Sequence, residues 1–179
     1  GAYALAVLDG QIYLFGGRDE AGYVASVYRY DPGADDWEEL PPMDQARGFL
    51  GAAAVGNQIY VVGGYDDLTE FDTCQAYDPE IGAWTPRSPM DAPRGGLTVV
   101  AVRKQIYAIG GGMDGYLAFN ERYDPRIDTW KRIETPVNEQ WRGLGAAFVN
   151  PNLYAIGGWN GELLSVNEAY QALFQIILP

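Results

Sequence analysis

A short apolar strand carrying Ile-Tyr or Leu-Tyr and closed by two consecutive glycines occurs four times: IYLFGG at 12, IYVVGG at 59, IYAIGG at 106 and LYAIGG at 153. The tyrosines fall at Tyr13, Tyr60, Tyr107 and Tyr154, so each interval is 47 residues. A fixed period of this kind constrains the fold more than any other feature. Each unit must be one supersecondary structure that buries its faces against its neighbours.

Every unit parses alike. An apolar run (LAVL at 5, AAAV at 52, TVVAV at 98, AAFV at 146) passes through a short polar turn into the tyrosine strand. The turns are Asp9-Gly10, Gly56-Asn57, Arg103-Lys104 and Asn150-Pro151. Asp-Gly is a strong hairpin signal because both residues tolerate positive φ, whereas Arg-Lys is a poor one that only the repeat supports. After the double glycine comes a loop, then a third strand ending at Tyr30, Tyr77, Tyr123 or Tyr170. The first three of these continue with Asp-Pro, a turn starter, since Asp bonds back to its own backbone and Pro fixes φ. A tryptophan stands seven residues after each of those tyrosines, at Trp37, Trp84 and Trp130, which predicts a second hairpin and an aromatic on a fourth strand. The unit is a four-stranded antiparallel meander. Its first two strands are apolar on both faces, so the sheet must be stacked between neighbours, and twisted four-stranded sheets stacked about an axis make a propeller. The double glycine then removes side chains where a neighbouring sheet's aromatic or backbone approaches closely.

Gly-Gly after an Ile-Tyr strand, Tyr-Asp-Pro, the tryptophan seven residues on, and Pro42-Met43 with Arg47-Gly48 and Pro89-Met90 with Arg94-Gly95 together resemble the kelch repeat. The kelch period is about 50 residues, against about 40–45 for WD40. The resemblance covers the whole chain in four units, approximately 1–46, 47–93, 94–141 and 142–179. It implies an all-β fold, a kelch-type β-propeller of four four-stranded antiparallel blades. Such propellers usually close with roughly six or seven blades, so the chain is expected to be part of a larger propeller and to have the remaining blades as a partner. Two departures stand out. Thr135-Pro136-Val137 replaces Pro-Met in the third unit, and the fourth has Gln171-Ala172 for Asp-Pro and Ile177 for the tryptophan, which puts its outer strand in question.

Composition sets limits on function. Of the 179 residues, 47% are hydrophobic and 13% aromatic, as in an ordered globular protein. Twelve Lys plus Arg against 24 Asp plus Glu give a net charge of -12, and no basic run offsets it, so nucleic acid is not an expected partner. The apolar runs are far too short for membrane insertion. The opening GAYALAVLDG has neither an initiator Met nor a charged leader and reads as an excerpt or mature fragment. Cys74, the only cysteine, reads as a small apolar filler in a strand. The acidic, lysine-poor composition favours a secreted or cell-surface setting slightly over the cytoplasm.

With no histidine, the commonest general base and metal ligand is missing. No nucleophile elbow, phosphate loop or cysteine cluster appears either, so no catalytic residue, metal site or cofactor is assigned. Function is expected on the loops that follow the double glycines. Candidate ligand-binding residues there are Arg18, Tyr65, Asp66, Asp114, Trp159 and Asn160. The kelch resemblance adds Arg47, Arg94 and Arg142 on the segments joining blades, three arginines that recur in phase and so also carry a scaffold role. The first reading is a non-enzymatic module that presents these loops to a protein or peptide. The alternative is a carbohydrate-active or glycan-binding propeller resembling the kelch-type sialic acid mutarotases, which would need a carboxylate and arginines converging at the channel mouth.

Overall fold

A computed structural model describes residues 1–113, 115, 117, 119–133 and 141–172. The expected turns form as the sequence predicts. Asp9 and Gly10 both take positive φ. Asp31 Oδ1 accepts the Gly33 N–H at 2.8 Å, Asp78 Oδ1 that of Glu80 at 3.0 Å, and Asp124 Oδ1 that of Arg126 at 3.0 Å. These turns fold three units into four-stranded antiparallel meanders: β1 to β4 (Ala4–Leu8, Gln11–Phe15, Val27–Asp31, Asp36–Leu40), β5 to β8 (Gly51–Val55, Gln58–Val62, Cys74–Asp78, Ala83–Arg87) and β9 to β12 (Thr98–Val102, Gln105–Ile109, Asn120–Asp124, Thr129–Ile133). The fourth has β13 to β15 (Gly145–Val149, Asn152–Ile156, Asn167–Gln171). Thr135-Pro136-Val137 and Ile177, where the sequence departs from the repeat, lie outside the described residues.

The sheets are the blades of a β-propeller, with inner strands β1, β5, β9 and β13 side by side in that order. Among the described residues there is no helix, and so none long and apolar enough to cross a membrane. Each junction between blades is an apolar core. Phe15, Val27 and Ala6 of the first blade meet Ile59, Val61 and Tyr77 of the second, and Val62, Cys74 and Ala76 of the second meet Ile106, Ala108 and Tyr123 of the third. Each Asp-Pro tyrosine lies opposite its tryptophan on the next strand, as Tyr77 does with Trp84 and Tyr123 with Trp130. The indoles of Trp84 and Trp130 also donate to the Pro41 and Ser88 carbonyls of the preceding blade, at 3.1 and 2.8 Å.

At the two ends of the stack the exposed apolar residues are Leu5 and Val7 on β1, and Val149 and Ile156 on β13 and β14. The strand pattern alone predicts Leu14, Phe15, Ala155 and Ile156 on those faces, and for two of them the structure differs. Phe15 and Ala155 point into the junctions with the neighbouring described blades and are buried, while Leu14 is half-buried. Successive residues of a strand face opposite sides, so only one of each adjacent pair can lie on an open face.

The double glycines sit between two inter-blade linkers. In the first three pairs a Cβ on the first glycine would strike the linker leaving the blade: one on Gly16 would run into the Arg47 carbonyl, one on Gly63 would sit 2.5 Å from that of Arg94 and one on Gly110 2.6 Å from that of Trp141. A Cβ on the second would meet the linker entering the blade, at 2.7 Å from the Gly1 carbonyl for Gly17 and 3.0 Å from that of Gly48 for Gly64. All of these glycines have positive φ. The approach that demands two glycines is therefore by linker backbone, not by an aromatic of the next sheet.

Gly63→Val is expected to cost more than about 2 kcal/mol, because it adds a backbone clash to an unfavourable φ. Gly56 shares a φ of +65° with nothing within 4 Å, so Gly56→Val reports the φ strain alone. Thermal melts should place Gly63→Val below Gly56→Val, and below the parent by at least about 4 °C. An unchanged midpoint would make Gly63 a mere strand terminator. Cys74 fills the second junction, with burial pushing its thiol up to about 12. It should resist a thiol reagent at pH 8 in the native protein and react once denaturant is added; rapid native labelling would contradict its role in the core.

Candidate functional site

The linkers that press on the glycines also position the arginines. The Arg47 carbonyl accepts the Gly17 N–H of the first blade at 2.8 Å, while its guanidinium reaches the second blade, donating to the Gly63 carbonyl at 3.1 Å and Thr73 Oγ1 at 2.6 Å. Arg94 repeats this one blade on. Its carbonyl accepts from Gly64 at 2.9 Å, and its guanidinium donates to the Gly110 carbonyl at 3.0 Å and Glu121 Oε1 at 2.7 Å. Both side chains are fully buried. Desolvation lowers both guanidinium pKa values; nearby Asp44 and Asp66 oppose the shift for Arg47, and Glu121 does so for Arg94. These two candidate ligand-binding residues are closed off from solvent and serve as bolts between blades.

The third arginine departs from the expected phase. The residue that stands where Arg47 and Arg94 stand is Trp141, whose carbonyl accepts the Gly111 N–H at 2.8 Å and whose side chain is buried in the third junction. Arg142 instead takes the place of Gly1, Gly48 and Gly95. Its N–H and carbonyl pair with Trp159 at 3.1 and 2.9 Å, as those of Gly48 pair with Tyr65 at 2.9 and 2.8 Å. The Trp141-Arg142 pair thus supplies a buried wedge and moves the arginine to the loop face, where it is half-buried.

Next in each linker comes a residue with positive φ: Ala2 (61°), Phe49 (54°), Gly96 (72°) and Gly143 (65°). They form a ladder along the inner edge, with Phe49 N–H donating to Ala2, Gly96 to Phe49 and Gly143 to Gly96 at 2.7, 2.8 and 2.7 Å. A bulky residue at positive φ is a rare strain, and Phe49 is the only bulky one of the four. Its ring is 39% exposed on the loop face.

Beside Phe49 opens a cleft of about 510 Å³, lined by Gly96, Met113, Arg142, Gly143, Trp159, Leu163 and Leu164. Arg142 Nη1 donates to the Met113 carbonyl at 2.9 Å and its guanidinium lies 4.6 Å over the Trp159 ring. Leu163 is 90% exposed at the rim. On the other side of Phe49 lies Tyr23, ring centroids 6.5 Å apart, and beyond it Tyr65 at 6.4 Å. Arg18 stacks on Tyr23 at 5.2 Å and pairs with Asp67 at 3.4 Å. Asp66 closes its own loop by accepting from Leu68 and Thr69 at 3.0 and 2.7 Å, and Asn160 lies exposed next to Trp159.

The structure therefore brings Arg142 and Trp159 together in one cleft, sets Arg18, Tyr65 and Asp66 on the same face, and withdraws Arg47 and Arg94 from it. Asp114 lies outside the described residues. Sequence reasoning places Met113 in a candidate loop, as the neighbour of Asp114, but missed Phe49, Leu163 and Tyr23. For Phe49 a signal existed: an aromatic stands where the other units have Ala or Gly.

A family model described as the KLHDC2/KLHL20/DRC7 kelch-repeats domain matches residues 2–164. The chain belongs to the kelch-repeat family. Kelch-like protein 26 of Mus musculus is 44% identical over 55 residues, 30% of this chain and 9% of that protein. Kelch-like protein 33 of Homo sapiens is 33% identical over 55 residues, 29% of this chain and 10% of that protein. Both matches thus span a small part of the relative's length. The kelch assignment agrees with the blades, the double glycines and the Tyr-to-Trp spacing, and a kelch domain is typically a protein-interaction propeller.

The bolts lend themselves to measurement. Glu121 is the only carboxylate hydrogen-bonded to the Arg94 guanidinium among the described residues, and it also accepts the Asp91 N–H at 2.8 Å. Glu121→Ala should cost about 3–5 kcal/mol, since it leaves a buried cation without its counter-charge. Glu121→Gln should cost less, because Gln75 fills the equivalent place in the second blade. Urea denaturation midpoints would show this order, and equal small losses would reduce the ion pair to an ornament of the junction.

Proposed function

We propose that the end of the propeller bearing the post-glycine loops is a protein-docking face, and that its centre is the cleft between Phe49, Trp159 and Leu163. The observation that carries this reading is an exposed apolar cleft set on a rigid frame. Trp159, Phe49 and Leu163 expose their side chains around a concavity large enough for a partner's side chains, and aromatic residues so placed are typical interface anchors. Isolated exposed apolar residues would need no explanation, but a contiguous group around a cleft does. The frame is rigid because the linkers are bonded to both blades they join. The domain acts here without chemistry, by presenting shape and charge to a protein or peptide.

Glycan binding has one observation in its favour, the accessible ring of Trp159 beside Asn160. The mutarotase-like version gains less support, since two of the three arginines it would gather at the channel mouth are consumed in blade junctions.

Leu163→Asp and Trp159→Ala should abolish capture of protein partners from an extract while leaving the melting temperature unchanged. Ile81→Asp, at an exposed β7–β8 turn away from this face, should leave capture intact. Equal capture by all four proteins would remove the face from consideration. Retention of a glycan on an array by the parent, lost in Trp159→Ala, would turn the reading to carbohydrate.

A further inference from the structure

The charge on the loop face bears on its occupant: Arg142 is the one charged residue lining the cleft, while Asp66 and Asp67 line the hollow on the far side of Phe49 together with Tyr23. The post-glycine loops carry Asp19, Glu20, Asp66, Asp67 and Glu162, and against them stand Arg18, already paired with Asp67, and Arg142, held on the Met113 carbonyl and the Trp159 ring. Arg47 and Arg94 are buried in the junctions and present no guanidinium to solvent, although the Arg47 charge still acts on nearby Asp66. The carboxylates are also fixed in place. Asp19 accepts the Ala21 and Gly22 N–H groups through Oδ1 alone, at 2.8 and 3.0 Å, and Asp66 binds its own loop in the same one-sided way. Between the acids lie the aromatic rings of Tyr23, Phe49, Tyr65 and Trp159; those of Tyr23 and Trp159 already carry the guanidinium groups of Arg18 and Arg142, the kind of cation such rings attract. The whole chain carries -12, so a cationic ligand is steered toward it from a distance and an anionic one repelled.

We propose that the face binds a cationic segment of a partner protein, rich in Lys or Arg, anchored by one bulky apolar side chain in the cleft between Phe49 and Leu163. This rests on the docking-face reading and adds the partner's chemistry. Arg142 does not oppose it: its guanidinium is turned onto Met113 and Trp159 as a wall of the cleft, and the carboxylates of the loops outnumber it.

Three synthetic peptides test the inference by fluorescence anisotropy: one with a central Trp flanked by Lys, a second with the same Trp flanked by Glu, and a third with Lys flanks and Gly in place of Trp. The Lys–Trp peptide should bind at least about tenfold more tightly than either control, and its affinity should fall as salt rises, since exposed charges are screened beyond about 8 Å at physiological ionic strength. Three variants localise the effect. Asp19→Asn with Asp66→Asn removes two charges and keeps both turns, because an amide oxygen still accepts the loop N–H groups. Phe49→Gly removes the anchor wall at a position where glycine suits the backbone. Leu163→Asp changes a residue exposed enough to leave the fold intact. Each should weaken the Lys–Trp peptide about tenfold.

Equal or tighter binding of the Glu–Trp peptide would overturn the cationic partner while leaving the docking face standing. Binding of the Lys–Trp peptide that is lost in the charge variant but indifferent to Phe49→Gly and Leu163→Asp would be unspecific attraction and would also overturn the inference. So would failure of all three peptides to bind; in that case protein capture that still depends on Leu163 would keep the docking face and reject only the stated partner chemistry.

Discussion

The bond from the second glycine of each of the first three pairs to the carbonyl of the departing linker is the contact on which the described blade junctions depend. Gly17, Gly64 and Gly111 donate to Arg47, Arg94 and Trp141, at 2.8, 2.9 and 2.8 Å. The bond holds each linker against the blade it leaves, so the side chain of the same linker residue points into the next blade. One residue thereby joins two sheets, through its carbonyl on one side and its guanidinium or indole on the other. Any Cβ on the first glycine would push the linker away and break the arrangement. The cores between blades, the burial of both arginines and the placement of the loop face all follow from this one close approach of backbone to backbone.

The candidate site lies where the repeat is broken. Arg142 occupies the place of Gly1, Gly48 and Gly95, and Phe49 that of Ala2, Gly96 and Gly143. Both substitutions put a large side chain where the other units keep almost none, at the inner edge of the loop face. Gly112 works in the opposite sense. It stands where the other blades carry Arg18, Tyr65 and Trp159, and its N–H donates to the Gly95 carbonyl at 2.9 Å just before Met113, which lines the cleft. A scaffold of near-identical units has no site until some units differ, and here the differences fall in adjacent blades.

Much of the fold was legible because it repeats. Period, turn residues and the Tyr-to-Trp spacing each point to the same meander, and agreement across levels is what allows a sequence to be read. The arginines were harder. Arg47, Arg94 and Arg142 look equivalent on the page, yet the last is displaced by one residue, and that single step exchanges a buried bolt for a surface group. Recurrence in phase pointed to a scaffold share for Arg47 and Arg94 but not to their full burial, since burying a guanidinium demands partners such as Thr73 and Glu121 that lie many residues away. Met113 was legible only by its place after the third double glycine, and Leu163 had no signal at all, being an ordinary apolar residue in a loop whose proximity to Met113 depends on how two blades are angled.

The ladder from Ala2 through Phe49 and Gly96 to Gly143 makes the molecule a polymer in miniature. Its monomer is a blade, and beside the glycine bonds, bolts and cores of each junction one N–H···O=C bond recurs at every described step. Duplicating one 47-residue unit within the gene would add one step to the arc and leave the ladder bonds at the other steps as they are. Loss of a unit would be equally silent at every remaining step. Blade number in such a chain is thus free to drift by whole units, and only curvature limits it, since a closed ring accepts only an integer number of steps. The substitutions that make the site, at Phe49, Gly112 and Arg142, sit on top of that counting mechanism and can change independently of it.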